Sequence, residues 1–170
     1  MGRRVRLVDR TAFGGGWLLV STESLLWVHE DVAAARRAEG LTDYKFMCFG
    51  GEVRCVFTCT GRAEGDLRVD FFDTEWNHLP FTRHYPNADV VPRRPLHLLE
   101  MAGLAEELSA DIPFVRVDFY EQSDRVLFGE MTFYPGSGFE EFEPEEWDLR
   151  IGNMLSLEGA YCPPGRQDVR

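Results

Sequence analysis

Residues 116–138 read RVDFYEQSDRVLFGEMTFYPGSG. Two β-favouring runs, Phe114 to Tyr120 and Val126 to Phe133, flank the polar turn Gln122-Ser123-Asp124, so the stretch reads as an antiparallel hairpin. Side chains alternate between the two faces of a strand. Val115, Val117, Phe119, Met131 and Phe133 fall on one face and are all apolar, while Arg116, Asp118, Glu130 and Thr132 fall on the other. With the turn centred near Ser123-Asp124, Asp118 lies opposite Glu130 to within about a residue and Arg116 lies opposite Thr132. Opposed residues have Cβ atoms about 5 Å apart, so the two carboxylates are expected within about 6 Å of each other and repel. Two arrangements relieve the repulsion. A divalent cation such as Mg2+ takes one or two protein carboxylates plus phosphate oxygens. Alternatively, Arg116 bridges to a carboxylate across the strands. Hairpin geometry leaves both open. The glycine-rich turn Pro135-Gly136-Ser137-Gly138 follows at once, and its backbone N–H groups suit an anion, which favours the first.

Outward from the hairpin, the chain alternates short strands with few helices. Val5 to Val20 reads as two strands around Gly14-Gly15-Gly16, and Glu30 to Ala38 as a short helix ended by Gly40. Asp43 to Phe49 and Glu52 to Thr60 form a second hairpin across Gly50-Gly51. Leu67 to Phe72 is a further strand, and Glu75 to Arg94 an ordered loop rich in proline and aromatics. Pro95 opens a helix with Leu98, Met101, Ala102, Ala105 and Leu108 on one face, ended at Asp111-Ile112-Pro113. Pro144 starts a last helix to about Leu157, with Trp147, Ile151, Met154 and Leu155 together. Hairpins and helices with little βαβ alternation predict an α+β fold, a largely antiparallel sheet with flanking helices.

The 170 residues suit one domain with a sizeable core, and 44% hydrophobic with 28% charged residues is a globular balance. A net charge of −11 argues against a nucleic-acid partner, because no global basic field exists to collect phosphates. No apolar run is long enough to span a membrane, and no secretory leader is visible, which makes the cytoplasm the default location. Cys48, Cys55, Cys59 and Cys162 match no zinc spacing, and Cys55 and Cys59 read as buried free thiols. Arg62 and Arg68 flank a polar loop and could contact phosphate or an acidic substrate, but solvated surface is the favoured reading; Glu140, Glu141, Glu143, Glu145 and Glu146 read as a solvated loop and helix N-terminus. The four histidines form no triad pattern, and Trp76 and Trp147 read as core.

The strings DYKFMCFGGEV (43–53), FVRVDFY (114–120) and GEMTFYPGSGFEEFEPEEWD (129–148) resemble those of the TupA-like ATP-grasp proteins, named for a teichuronopeptide biosynthesis protein. The hairpin is also similar to the R-V-D-F-F and E-x-N-x-x-P-G run of D-alanine–D-alanine ligases. The resemblance covers most of the chain from Asp43 to about Leu157. It implies an ATP-grasp fold that holds ATP between two α+β subdomains, and a ligase that activates a carboxylate as an acyl phosphate for attack by an amine. Carried over, Asp118 and Glu130 match magnesium ligands, and Thr132 stands where the wider family often has asparagine. Arg116 and Lys45 match phosphate-contacting positions, and both are expected to be catalytic.

The resemblance also implies departures. Arg10 stands where the family has a lysine four residues before its glycine-rich loop, here Gly14-Gly15-Gly16-Trp17, and arginine is bulkier and planar. Only a few residues link Arg37 to Asp43, where the family places the adenine-binding strand. The expected organisation is therefore a remnant of the glycine-rich-loop subdomain at 1–40, an incomplete N-terminal part, then a catalytic subdomain at 41–158 and a loose tail at 159–170. The expected partners are a small-molecule or saccharide carboxylate or amine substrate, and a second copy or partner chain completing the ATP site. The alternatives are a non-catalytic scaffold that keeps the fold, and a metal-independent carbohydrate-binding module.

Overall fold

The computed structural model describes residues 42–62, 65–122 and 125–157, together with the backbone of two N-terminal strands, β1 (Val5–Asp9) and β2 (Trp17–Ser21). These two pair antiparallel, Val5 with Ser21 through Asp9 with Trp17, as the two runs around the glycines predict. Arg10, Gly14, Gly15, Gly16, the 30–38 helix and the 159–170 tail lie outside the described residues.

The main sheet has five strands: β3 (Asp43–Phe49), β4 (Glu52–Thr60), β5 (Arg68–Phe72), β7 (Phe114–Gln122) and β8 (Arg125–Thr132), in the order β5-β4-β3-β7-β8. Every neighbouring pair is antiparallel. The β3–β4 turn falls at Gly50-Gly51, where φ is +60° and +85°, a geometry that two-residue hairpins favour and that glycine adopts without a Cβ penalty. A further strand pair, β6 (Thr82–Arg83) with β9 (Phe142–Glu143), lies in the connecting loops. The helices are α1 (Leu98–Ser109) and α2 (Glu146–Gly152). The fold is thus α+β on a mostly antiparallel sheet.

Each face of the sheet carries its own core. On one, α1 sets Leu98, Met101 and Ala105 against Phe46, Cys48, Val56, Val115, Val117, Phe119 and Phe128. On the other, Met47, Cys55, Phe57, Cys59 and Phe71 pack with Phe81, Trp147 and Ile151 from the loops and α2. Among the described residues, Cys48, Cys55 and Cys59 are buried free thiols. Burial pushes Cys48 up to about 11 and Cys55 up to about 12, so neither is a nucleophile at neutral pH.

Several boundaries differ from the sequence reading. α1 begins at Leu98, not Pro95: the backbone N–H and Nδ1 of His97 both engage Glu121 Oε1 at 2.7 and 2.9 Å, which pins the chain just ahead of the helix, and Met101 N–H then makes the first helical bond to His97 O. α2 ends at Gly152, well short of Leu157; Met154 is only partly buried, and Leu155 and Leu157 are exposed. Phe133 does not join the apolar face of the hairpin, because β8 stops at Thr132 and leaves the ring half-exposed. The 75–94 loop is ordered as expected. Asp73 caps it by accepting the Glu75 and Asn77 backbone N–H groups, Asn87 donates to Val69 O, and Trp76 stacks on Phe72 at 4.1 Å.

The β7–β8 register places Arg116 opposite Thr132, as expected, and Val117 opposite Met131. It then shifts, so that Phe119 meets Phe128. Two residues, Gly129 and Glu130, therefore face the single residue Asp118, a β-bulge. A Cβ on Gly129 would lie 2.9 Å from Asp118 O and 3.0 Å from Tyr120 Cε2. Gly129→Ala should thus cost roughly 1–3 kcal/mol through overpacking against backbone, measured by urea denaturation. A cost near zero would show that the bulge tolerates a Cβ.

Candidate functional site

The site lies on the sheet face away from α1. Strand pairing puts Phe71 beside Phe57, Phe57 beside Lys45, and Lys45 beside Asp118 in one cross-strand row. The next row carries Met47, Arg116 and Thr132. β3 and β7 are central strands, so their outward polar groups are walled by neighbours on both sides. Lys45 is 6% exposed and Asp118 1%.

Burial of charge demands partners. Asp118 receives three: Lys45 Nζ, Arg116 Nε on Oδ1 at 2.7 Å, and Arg116 Nη2 on Oδ2 at 2.8 Å. Arg116 Nη2 also donates to Glu130 Oε1 at 2.8 Å, which Thr132 Oγ1 approaches at 3.3 Å. Lys45 Nζ lies 3.6 Å from Asp43 Oδ2, and Arg62 Nη2 stands 3.8 Å from the same oxygen. Burial pulls the Arg116 guanidinium down, but the hydrogen bonds and charge of Asp118, with Glu130 behind, outweigh it and hold Arg116 above its ordinary value. Asp118 and Glu130 each touch one nitrogen at 2.8 Å, so their oxygens are separated by no more than twice that distance, inside the expected span.

The structure therefore brings Lys45, Arg116, Asp118, Glu130 and Thr132 together on one face. It also contains the cross-strand ion pair that hairpin geometry left open, with Arg116 between the carboxylates. The donor chemistry fits a hard divalent cation: two carboxylates and a hydroxyl offer oxygen alone. Among the described residues no three His, Cys, Asp or Glu side chains cluster as a metal cage. Two carboxylates suit magnesium, which fills its shell with phosphate and water.

Residues that the sequence reading left as surface or did not single out also border the site. Asp43 and Arg62 extend the charged row at one end. Arg83 lies over the apolar end, its Cζ 4.7 Å from the Phe57 ring centre and 5.5 Å from that of Phe71. Glu140 faces it, with Oε2 3.1 Å from Arg83 Nε. Arg83 comes from a two-residue strand inside the 75–94 loop and has no periodic pattern in sequence, so nothing local marks it. The remaining polar assignments are structural: His78 contacts Asp70, Arg68 contacts Asp66 and the Asn87 carbonyl, and Trp76 and Trp147 lie in the core. Ser137 and Phe139 N–H in the glycine turn are already used on Tyr134 O and Gly136 O.

An antiparallel α+β sheet with basic and acidic side chains crowded on one face is the frame on which the comparisons bear. The family model described as TupA-like ATPgrasp matches residues 23–156, and the chain belongs to that family. No curated protein and no solved structure matches it.

Proposed function

We propose that this chain is an ATP-grasp-type ligase domain, using ATP and Mg2+ to join a carboxylate to an amine. Membership of the family supports the ligase class. The observation that carries the site is the convergence of Lys45, Arg116, Asp118 and Glu130 on one sheet face. Lys45 and Arg116 contact the nucleotide phosphates, and Asp118 and Glu130, helped by Thr132, hold the cation. Bound there, magnesium neutralises charge on the transferred phosphoryl group. The substrate carboxylate oxygen attacks the γ-phosphorus and ADP leaves. The amine then attacks the acyl carbon and phosphate leaves. Arg116 is the residue that must change partners, from carboxylates to phosphate, when nucleotide arrives.

The organisation that goes with this reading has a glycine-rich-loop remnant at 1–40, with Arg10 and Gly14 to Gly16 over the triphosphate, and a catalytic subdomain at 41–158. The short Arg37–Asp43 link leaves the adenine side open, to be completed by a second copy or partner. A role in surface polysaccharide or peptide-polymer synthesis, in the cytoplasm, fits the family's name. Among the described residues no helix is long and apolar enough to cross a membrane.

One observation favours a non-catalytic scaffold instead: Lys45 and Arg116 both pair with Asp118, as a purely structural charge network would. Calorimetry with ATP, with and without magnesium, separates the two. The ligase reading expects magnesium-dependent binding, weak for want of an adenine wall, with Kd above about 0.1 mM, or less than about 5.5 kcal/mol. Absence of any magnesium-dependent nucleotide binding would leave the scaffold.

A further inference from the structure

Arg83 is buried in a box of phenylalanines, and no step of the ligase reaction uses it. Its side chain is 10% exposed, and its Cζ stands 4.7, 5.5 and 6.0 Å from the ring centres of Phe57, Phe71 and Phe142. The same Phe57 ring lies 5.9 Å from Arg116 Cζ, so the two guanidiniums share one aromatic wall. Lys45 is the cross-strand neighbour of Phe57, which places Arg83 one step along the row from the Lys45–Asp118 pair. Among the described residues the carboxylate within ion-pair reach of Arg83 is that of Glu140. Its contact is imperfect. Nε is 3.1 Å from Glu140 Oε2 but off the line of a hydrogen bond, and it is buried with no other partner.

We propose that Arg83 is the seat for the carboxylate of the substrate, and that Glu140 occupies that seat as an internal stand-in until substrate displaces it. The role of the bound carboxylate as a reactant rests on the ligase reading; the seat itself does not. Three features argue for a carboxylate. The planar guanidinium fork matches one in shape. The apolar box excludes water, so removing one anion from Arg83 is costly unless another replaces it, and exchange of carboxylate for carboxylate is close to balanced. Glu140 is the displaceable partner, because it is 29% exposed and lies on the loop between the glycine turn and β9, whereas Arg83 is fixed by the β6–β9 pair. The loop is shaped to admit it: Gly136, at φ +56°, has no Cβ, and one there would overlap the Glu140 side chain. Burial lowers the pKa of Arg83 from its ordinary value, Glu140 opposes this, and Arg116 adds to the lowering, as expected for a cation short of anionic partners.

Glu140→Gln in the full chain tests the seat, with sodium acetate and inorganic phosphate as probes at constant ionic strength. The Arg83 Nε–H resonance is followed by NMR, and a thermal melt checks folding. Removing the internal competitor should tighten acetate binding by at least about fivefold, because the seat is then no longer filled in most molecules. Arg83→Lys, which keeps the charge but has no Nε–H, is read by the thermal melt instead, and acetate should no longer raise its midpoint in either background. No gain for acetate in a folded Glu140→Gln protein, or a gain for phosphate alone, overturns the proposal; the first would make Glu140 a structural latch. Magnesium-dependent ATP binding by the wild type is measured separately. ATP binding without the acetate gain overturns the seat and spares the ligase reading. An acetate gain without ATP binding upholds the seat in a non-catalytic domain.

Discussion

Asp118→Asn should lower the stability of the metal-free protein by about 3 kcal/mol, at the low end of what breaking a buried ion pair costs. Asp118 is 1% exposed and takes donors from Lys45 and Arg116 at once. The amide keeps the shape and one acceptor oxygen, so packing is preserved. It removes the charge that two buried cations face. Each retains a second anion, Asp43 at 3.6 Å from Lys45 and Glu130 at 2.8 Å from Arg116, which holds the loss to the low end. Opposed carboxylates alone predict the reverse sign, a gain of up to about 1 kcal/mol from relieved repulsion with Glu130. Arg116 Nη2 between the two carboxylates decides against it. Thermal melts with and without magnesium and ATP read both roles. If Asp118 also holds the cation, ligand raises the wild-type midpoint by mass action and leaves that of the variant where it was. A variant as stable as wild type would show that Lys45 and Arg116 do not depend on Asp118. A variant with the wild-type response to magnesium and ATP would remove Asp118 from the metal site.

Much of this arrangement was legible in sequence because it is written in period two. A hairpin with a two-residue turn has few registers, and alternation then assigns each side chain a face. Arg116 opposite Thr132 followed from counting residues. The bulge at Gly129 was not countable: a glycine in a strand marks a close approach only once its neighbour, here Asp118 O, is known. The helix ends differ from the sequence expectation for a related reason. Pro95 and Pro144 are permissive at a helix start, but the actual starts depend on tertiary partners such as Glu121 on His97. The charge network was half legible. Lys45 and Asp118 lie 73 residues apart and meet only because β3 pairs with β7 at the centre of the sheet, a topology that local pattern does not dictate. Arg83 and Glu140 were the least visible, since one sits in an irregular loop and the other in a run of acids that reads as solvated surface.

Phe71→Ala should cost about 4 kcal/mol, within the range for deleting a buried phenylalanine ring. Phe71 is fully buried on the edge strand β5, and its ring lies 4.4 Å from Phe81, 5.0 Å from Phe57 and 6.3 Å from Phe142. These partners come from three separate segments, so the ring ties the loop at 73–95 and the β9 segment to the sheet. Its loss leaves a void that rigid strands on one side cannot close, and the cavity adds to the lost transfer energy. The same truncation at Phe139, 87% exposed beside the glycine turn, should stay within about 0.5 kcal/mol. Urea midpoints for the two variants, at unchanged m, give the comparison. Phe71 also stands 5.5 Å from Arg83 Cζ, so its removal should wet the guanidinium and weaken acetate binding even in the Glu140→Gln background. A cost below about 1.5 kcal/mol would mean that the loop collapses onto the gap, since the penalty at fixed chemistry depends on how well a site can close. In that case the aromatic box is soft and does not hold Arg83 in place.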